Sequence, residues 1–327
     1  MGSKRDSLDK GGTSLKVAYV FPGQGSQKVG MGSDLYHSSH AARALFDDAD
    51  EIYGSKLSSY CFYGPEASLK ETLVAQPALF VSSVAGLAAL KEAGAQAPHA
   101  VAGHSVGEYA ALVAAGAMSF ETGLHLVTRR AQEMQRAAST HPGTMSAVIG
   151  LDAEVVTDVC KEAQSITGEV IQVANYNSPA QMVISGTRNG MDEAVRLAKE
   201  RGARKIIPLA VSGAFHSKLM SGAAEAMSVL LTSTKFEDPS IPIVANTTGE
   251  FETRAGEVQI NLASQIESAV QWIKTILCLE SDGVTHYVEI GGGSVLGGLI
   301  KRIAADPIVV TVEGMAGVRS WSEVNLI

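Results

Sequence analysis

The stretch "HAVAGHSVGEYAALVAAGAM" (residues 99–118) sets one serine, Ser105, between two glycines. The apolar run "HAVAG" predicts a short buried strand, and the small residues from Val106 onward predict a helix. A sharp strand-to-helix turn forces its central side chain outward, and glycines two residues before and after that side chain relieve the crowding. The pattern therefore predicts an exposed serine at a tight turn. It is either a nucleophile or a hydrogen-bonded residue of a structural glycine turn.

The segment Gly103-His104-Ser105-Val106-Gly107 fits G-x-S-x-G, the nucleophile elbow of α/β hydrolases, in the strand–turn–helix context that this motif needs. The helix that follows presents free N–H groups, that of Val106 among them, to a developing oxyanion. His104 adjoins Ser105 on the turn and points away from it. We therefore interpret His104 as a core or supporting histidine and not as a general base.

A serine nucleophile needs a base within hydrogen-bond reach. His216, in "VSGAFHSKLM", lies in a stretch of small residues where a predicted small domain returns to the main one. Domain junctions are common sites for clefts. His216 is therefore the candidate base, and a helix-capping or surface histidine is the alternative. No Asp or Glu stands out as its orienting partner, so a backbone carbonyl or an amide side chain is expected there.

Arg130 belongs to a helix predicted over residues 119–138. At about 100° per residue, Arg129 falls on the solvent side, whereas Arg130 falls at the margin of the apolar face. A half-buried guanidinium pairs with a carboxylate or phosphate, either in a ligand or within the protein. The early loop "FPGQGSQ" lacks a Walker ending. Its Gln24 N–H could be the second oxyanion donor.

Composition and charge narrow the function classes. The 327 residues include 26 basic and 34 acidic ones, for a net charge of −8. Without a basic stripe, neither nucleic-acid nor membrane binding is expected. Three separated cysteines form no CxxC pair, and the eight histidines show no HExxH spacing, so no metal site is predicted. No run of 18 uncharged apolar residues appears, so no membrane span is predicted.

Strand and helix signals alternate along most of the chain, which predicts an α/β fold with a mostly parallel sheet. Residues 144–210 instead read β-α-β-β-α-β, the ferredoxin-like pattern. We therefore predict a large domain of residues 15–143 and 211–315, interrupted by a small ferredoxin-like domain of residues 144–210. Residues 1–14 are expected to be a disordered start or tag, and residues 316–327 a C-terminal tail.

Seven motifs, in this order, resemble those of malonyl-CoA:acyl carrier protein transacylases. The resemblance runs from about Val17 to Arg302. The motifs are "VFPGQGSQ", "QPALF", "GHSVGEYAAL", "TRRAQEMQ" with Arg130, "GTMSAVIGL", "GAFHS" and "VEIGGGSVLGGLIKRI".

The resemblance implies an α/β-hydrolase-like large domain carrying a ferredoxin-like small one, and it implies a role for each site residue. Ser105 would be the nucleophile and His216 the base, with Gln24 and Val106 as backbone oxyanion donors. Arg130 would grip the malonyl carboxylate, near Gln76 of "QPALF".

Three further implications concern the surroundings of the base and the carrier. The backbone carbonyl of Gln265 would orient the histidine, although Ala269 replaces the usual proline nearby. Phe215 favours malonyl over methylmalonyl groups, as the residue before the histidine does in related polyketide acyltransferases. An acidic carrier protein would meet a local basic patch, for which Lys218, Lys301 and Arg302 are candidates.

The implied activity is malonyl transfer from malonyl-CoA to the phosphopantetheine thiol of acyl carrier protein through a seryl intermediate, supplying fatty acid synthesis, without metal or other cofactor. A stand-alone polyketide acyltransferase, a serine thioesterase or esterase, and a non-catalytic module that keeps the fold are the alternatives. We expect a monomer in the cytoplasm, or in an organelle if a transit peptide has been removed.

Overall fold

The computed structural model describes residues 15–324, so the predicted N-terminal segment 1–14 and the last three residues lie outside the described part. Its strands, in chain order, are β1 (Val17–Phe21), β2 (Ala100–Gly103), β3 (Thr144–Ile149), β4 (Ile171–Ser178), β5 (Gln181–Gly186), β6 (Lys205–Pro208), β7 (Ile243–Val244), β8 (Phe251–Glu252), β9 (His286–Ile290) and β10 (Ile308–Val312).

Helices cover the sheets and connect the strands. In the first half of the chain they are α1 (Ser33–Ser38), α2 (His40–Tyr53), α3 (Leu57–Tyr63), α4 (Glu66–Lys70), α5 (Thr72–Glu92), α6 (Gly107–Ala114), α7 (Phe120–Thr140) and α8 (Ala153–Thr167). In the second half they are α9 (Arg188–Glu200), α10 (Ser221–Ser233), α11 (Ala255–Gln265), α12 (Trp272–Ser281), α13 (Val295–Ile300) and α14 (Met315–Val324), with a 3-10 turn at Lys218–Met220.

The larger sheet has the strand order β10-β9-β1-β2-β7-β8. Every neighbouring pair is parallel except β7 and β8, which run antiparallel. Every residue of β1 and β2 is buried, as expected for central strands of a parallel sheet covered by helices on both faces. The predicted α/β class with a mostly parallel sheet is confirmed, and β2 is the strand that leads into the Ser105 turn.

The smaller sheet has the order β4-β5-β3-β6 with antiparallel pairing throughout. With α8 after β3 and α9 after β5, the chain follows the β-α-β-β-α-β path of a ferredoxin-like unit. Its own apolar core lies between the sheet and the two helices. An isolated parallel bridge from Asn175 to Val270 joins β4 to the segment before α12, and thereby connects the small sheet to the large domain.

Helix α5 runs through the centre of the large domain. It is the one helix of residues 15–324 that is long and apolar enough to cross a membrane, and 89% of its apolar window is buried inside the protein. It packs against α2, α6 and α7, which accounts for an apolar composition on all sides. Its N-terminal part carries Gln76 toward the end of the sheet where the serine lies.

The C-terminal region differs from the predicted tail over residues 316–327. Strand β10 adds an edge to the large sheet, and α14 packs on it through Val318 and Trp321, which are both 1% exposed. The indole Nε1 of Trp321 donates a hydrogen bond to the hydroxyl of Tyr19 in β1, at 3.3 Å. Residues 315–324 therefore belong to the layers of the large domain, because an aromatic anchor buries the helix.

Candidate active site

Ser105 lies at a strained turn between β2 and α6. Its φ is +54°, in the left-handed region that non-glycine residues rarely adopt. A Cβ on Gly103 would approach the carbonyl carbon of Gly107 to 2.0 Å, and one on Gly107 would approach the carbonyl oxygen of Phe21 to 2.2 Å. Both flanking glycines are therefore required by backbone contact, and the turn aims the serine side chain into a cavity between the two domains.

His216 reaches the serine from the loop that follows the small domain. Its Nε2 lies 2.8 Å from the Ser105 Oγ. The Nδ1–H donates to the backbone carbonyl oxygens of Gln265 at 2.9 Å and Ser268 at 3.1 Å. Because carbonyl oxygens only accept hydrogen bonds, Nε2 carries the lone pair and accepts the serine hydroxyl proton.

The histidine is also held in an unusual backbone conformation. Among residues 15–324, the non-glycine residues with positive φ are Ser105, His216 and Asp306, so both members of the serine–histidine pair carry this strain. The His216 N–H donates to the Ile266 carbonyl oxygen at 3.0 Å, which fixes the loop against the end of α11. Strain at both residues indicates that the surrounding fold, and not local preference, sets their approach.

Burial, and after it the positive charge of Arg130, lower the pKa of His216 to about 3, although the hydrogen bond to the Gln265 carbonyl acts in the opposite direction. The imidazole is therefore neutral at physiological pH, which is the form that can accept a proton. A negative charge that binds at Arg130 would remove part of this penalty on the imidazolium.

Arg130 is 1% exposed, deeper than the marginal position that helical periodicity predicts. Its Nη1 donates to Gln76 Oε1 at 2.6 Å, and its Nη2 donates to Ser105 Oγ at 3.1 Å and to Gln265 Oε1 at 2.9 Å. Its Nε is without a partner among the described residues, and within residues 15–324 no carboxylate lies within ion-pair distance of the guanidinium. The neighbouring Arg129, predicted to be solvated, is 55% exposed and pairs with Glu133.

A buried guanidinium with only neutral direct partners is poised for an anion. The guanidinium lies next to the Ser105 oxygen. An anion bound to it would therefore be part of the molecule that the serine attacks. The Tyr109 ring, 5.9 Å from the guanidinium carbon, adds a favourable cation–π contact on one side. The geometry therefore fits a substrate that carries a carboxylate a short distance from its electrophilic carbon.

Two residues that line the same cavity have free backbone N–H groups. Gln24 and Val106 both line it, and within residues 15–324 neither N–H donates a backbone or side-chain hydrogen bond. Free N–H groups beside a serine are the donors that a tetrahedral oxyanion needs. The side chain of Gln24 points elsewhere, with Nε2 donating to Thr72 Oγ1 at 3.4 Å.

The cavity is small, about 80 Å³. Phe215, which is 5% exposed, contributes to its wall beside the histidine. Its other apolar lining residues are Val106, Met134, Met145, Leu209 and Val211. A volume of this size fits a short acyl group.

His104 lines the cavity but does not face the serine. Its Nε2 lies 2.9 Å from Asn177 Oδ1 on β4, and its ring packs edge-on against Trp272. Burial lowers the pKa of His104, so it is neutral as well. The contact joins the serine turn of the large domain to the small sheet, in agreement with a supporting position.

Sequence reasoning missed Asn246 and Glu108, which hold the serine turn from below. Asn246 Oδ1 accepts from the Ser105 N–H at 2.7 Å, and its Nδ2 donates to the Gly103 carbonyl at 2.5 Å. Asn246 follows β7, next to β2, so its place at the carboxyl end of a parallel strand was an available signal. Glu108 lies in the first turn of α6 and is 1% exposed.

Other features of the described chain point to no second centre. Within residues 15–324, no group of three or more His, Cys, Asp or Glu side chains is placed to hold a metal ion. Cys61 and Cys160 are buried, and burial raises the pKa of each thiol to about 12.

The fold and the site together define a class: an α/β-hydrolase-like protein with a serine at a strand–helix elbow, a histidine on that serine and a buried arginine beside it. The acyl transferase domain family matches residues 18–308. A malonyl CoA-acyl carrier protein transacylase of Bacillus subtilis (strain 168) is 44% identical over 288 residues, which are 88% of this chain and 90% of that protein.

Solved structures agree with the sequence match. An acyl carrier protein S-malonyltransferase from Vibrio cholerae superimposes with a TM-score of 0.90 at 38% identity, covering 93% of this chain and 99% of that one. A malonyl-transacylase in complex with the holo acyl carrier protein of a type II polyketide synthase gives 0.91 at 37% identity, covering 94% and 99%. The chain belongs to the acyl transferase family, among the malonyl CoA-acyl carrier protein transacylases.

Proposed function

We propose that the protein transfers the malonyl group of malonyl-CoA to the phosphopantetheine thiol of an acyl carrier protein, with Ser105 as nucleophile. The observation that carries the proposal is the position of the Ser105 oxygen, 2.8 Å from a neutral imidazole nitrogen and 3.1 Å from a buried guanidinium nitrogen. The names of the relatives indicate malonyl as the acyl group and an acyl carrier protein as the acceptor. The serine, histidine and arginine of the site fit the transfer of such a group.

In the first half-reaction, Ser105 Oγ attacks the thioester carbonyl carbon while His216 Nε2 takes the hydroxyl proton. The oxyanion of the tetrahedral intermediate accepts from the N–H groups of Gln24 and Val106. The carbon–sulfur bond then breaks, the CoA thiolate takes the proton back from the imidazolium, and the malonyl group remains on the serine as an ester. The Gln265 carbonyl holds the imidazole in the required tautomer throughout.

The second half-reaction reverses these roles. His216 deprotonates the phosphopantetheine thiol of the carrier, the thiolate attacks the seryl ester, and Ser105 leaves with the proton. Arg130 holds the malonyl carboxylate in both halves, with Gln76 and Gln265 orienting the guanidinium. Phe215 limits the space at the carbon between the two carbonyl groups. No step requires a metal or a redox cofactor.

A basic surface for an acidic carrier is part of the proposal. Arg302, after α13, donates to Gln181 Oε1 at 3.1 Å, next to the β4–β5 turn that follows Asn177. Lys301, the residue before Arg302, is exposed. Lys218 is paired with Glu267 at 3.2 Å, so it contributes less positive charge to a surface for the carrier. The expected monomeric state and cytoplasmic location, and the choice between fatty acid and polyketide synthesis, stay predictions.

The test is CoA release from malonyl-CoA with and without holo acyl carrier protein. A transferase releases at most one equivalent of CoA per enzyme without the carrier and turns over steadily with it, forming malonyl-carrier. Steady CoA release without the carrier would instead identify a thioesterase. No release under either condition would leave a non-catalytic module.

A further inference from the structure

Glu108 is a buried carboxyl group that the proposed mechanism does not use. A single side chain, that of Gln265, separates it from Arg130. Glu108 Oε1 accepts from the Asn246 N–H at 3.3 Å, and its Oε2 accepts from the side-chain Nε2 of Gln265. Both partners are donors, so both carboxyl oxygens act as acceptors, an arrangement that suits the ionised carboxylate best.

The Gln265 amide connects this carboxylate to the arginine. Its Nε2 donates to Glu108 and to the Ser105 carbonyl oxygen at 3.1 Å, and its Oε1 accepts from Arg130 Nη2 at 2.9 Å. A side-chain amide can occupy its site in two orientations. In the reversed one, the amide oxygen would face Glu108 and its NH₂ would face the guanidinium, so every contact would become unfavourable.

We propose that Glu108 is a positioning residue for malonyl selection: its carboxylate holds the Gln265 amide with its oxygen toward Arg130 and thereby keeps the guanidinium aimed at the serine and the acyl cavity. This inference rests on the proposed function, in which Arg130 binds the malonyl carboxylate. Glu108 acts through Gln265 and does not touch the substrate.

Charge supports the same assignment. Within residues 15–324 no carboxylate pairs directly with Arg130, and Glu108 and the guanidinium attract each other across the amide. Burial, and after it the neighbouring Glu252, raise the pKa of Glu108 well above its ordinary value, although its hydrogen bonds from Gln265 and Asn246 and the charge of Arg130 act in the opposite direction. The two donated hydrogen bonds and the guanidinium favour the ionised carboxylate against the cost of its burial.

Glu108→Gln is the informative variant because it keeps the volume but turns one acceptor into a donor. Its new NH₂ must face either the Gln265 amide or the Asn246 N–H, and both are donors. Glu289→Gln is the matched control, since Glu289 is a fully buried carboxyl that accepts from the Leu296 and Gly297 N–H groups and does not line the cavity at Ser105.

The experiment measures kcat/KM for malonyl-CoA and for acetyl-CoA, with holo carrier protein as acceptor, in the full chain. Glu108→Gln should lower the malonyl-to-acetyl ratio roughly tenfold, mainly through KM for malonyl-CoA, with acetyl transfer retained. Glu289→Gln should leave the ratio at the wild-type value even if its Tm falls. In an Arg130→Ala background, Glu108→Gln should have no further effect on the ratio.

Equal loss of both activities in Glu108→Gln, or an undiminished effect on the ratio without Arg130, would overturn the inference and assign Glu108 a purely structural role. A wild-type enzyme that does not prefer malonyl-CoA would instead refute the proposed function, so the two failures are distinguishable. If Glu108→Gln does not fold, Glu108→Asp replaces it in the comparison of malonyl and acetyl transfer. The aspartate is shorter by one methylene, which draws the carboxylate away from Gln265.

Discussion

The Ser105 hydroxyl lies 2.8 Å from Nε2 of His216, although the two residues are 111 positions apart in the chain. Both have positive φ, and each is held by a contact from another segment: Ser105 N–H by Asn246, and His216 N–H by Ile266. The pair is therefore assembled by the large domain on either side of the inserted small one. Its geometry depends on long-range hydrogen bonds that can each be altered separately.

Arg130→Ala tests the carboxylate-binding role. We expect malonyl-CoA transfer to fall by roughly 10- to 100-fold, because a desolvated charge-assisted pair is lost, while acetyl transfer is retained or raised. Arg129→Ala is the matched control, since this arginine is exposed and pairs with Glu133. Equal loss on both acyl-CoA substrates would contradict the role given to Arg130.

The acid limb of the pH profile tests the electrostatics of His216. The neutral imidazole is the active form, so kcat/KM declines only as pH falls through its pKa, which lies at about 3 in place of 6.5. With acetyl-CoA as substrate, the acylation half-reaction should therefore show no inflection from His216 between about pH 8 and about pH 5. A pKa near 6.5 in this profile would be inconsistent with a buried histidine beside Arg130.

The acid limb of the pH profile should shift to higher pH when the positive charge of Arg130 is removed. Arg130 lowers the pKa of His216, so Arg130→Ala should raise it, and activity should be lost at a higher pH than in the wild type. The shift is measured with acetyl-CoA, which both proteins can use. An unchanged acid limb would show that burial alone sets the basicity of the imidazole.

The sequence predicted the large parallel sheet, the ferredoxin-like path and the course of α7 because each depends on local periodicity. It underestimated the burial of Arg130, because Gln76 of α5 and Gln265 of α11 contact the guanidinium and the periodicity of α7 alone reveals neither contact. The sequence did not predict strand β10 or helix α14. Strand β10 is an edge strand of mostly exposed and half-buried residues, so its hydrophobic pattern is weak. The roles of Asn246 and Glu108 depend on tertiary contacts alone.

Asn246→Ala tests the support beneath the elbow. Loss of the acceptor for the Ser105 N–H and of the donor to the Gly103 carbonyl should lower the free energy of unfolding by about 1–3 kcal/mol and reduce kcat. Asn246→Asp keeps the acceptor and should retain more activity than alanine. Unfolding curves and acylation rates together check this order, and a fully active alanine variant would exclude the supporting role.

Phe215→Ala tests control of the acyl branch. Removing the ring enlarges the cavity next to the histidine, so kcat/KM for methylmalonyl-CoA relative to malonyl-CoA should rise by about tenfold. Phe236→Ala is a suitable control, because Phe236 is 7% exposed, within the apolar core and outside the cavity lining. If both variants change the ratio alike, Phe215 has no specific part in acyl selection.

The central claim is that the oxygen at residue 105 carries the acyl group between donor and acceptor. Intact-mass and peptide mass spectrometry after brief exposure to malonyl-CoA, without carrier protein, tests it most directly. We predict one malonyl group per chain, located on the peptide that contains Ser105, absent in Ser105→Ala and discharged when holo carrier is added. A malonyl group on another residue, or carrier malonylation at the wild-type rate by Ser105→Ala, would contradict the account.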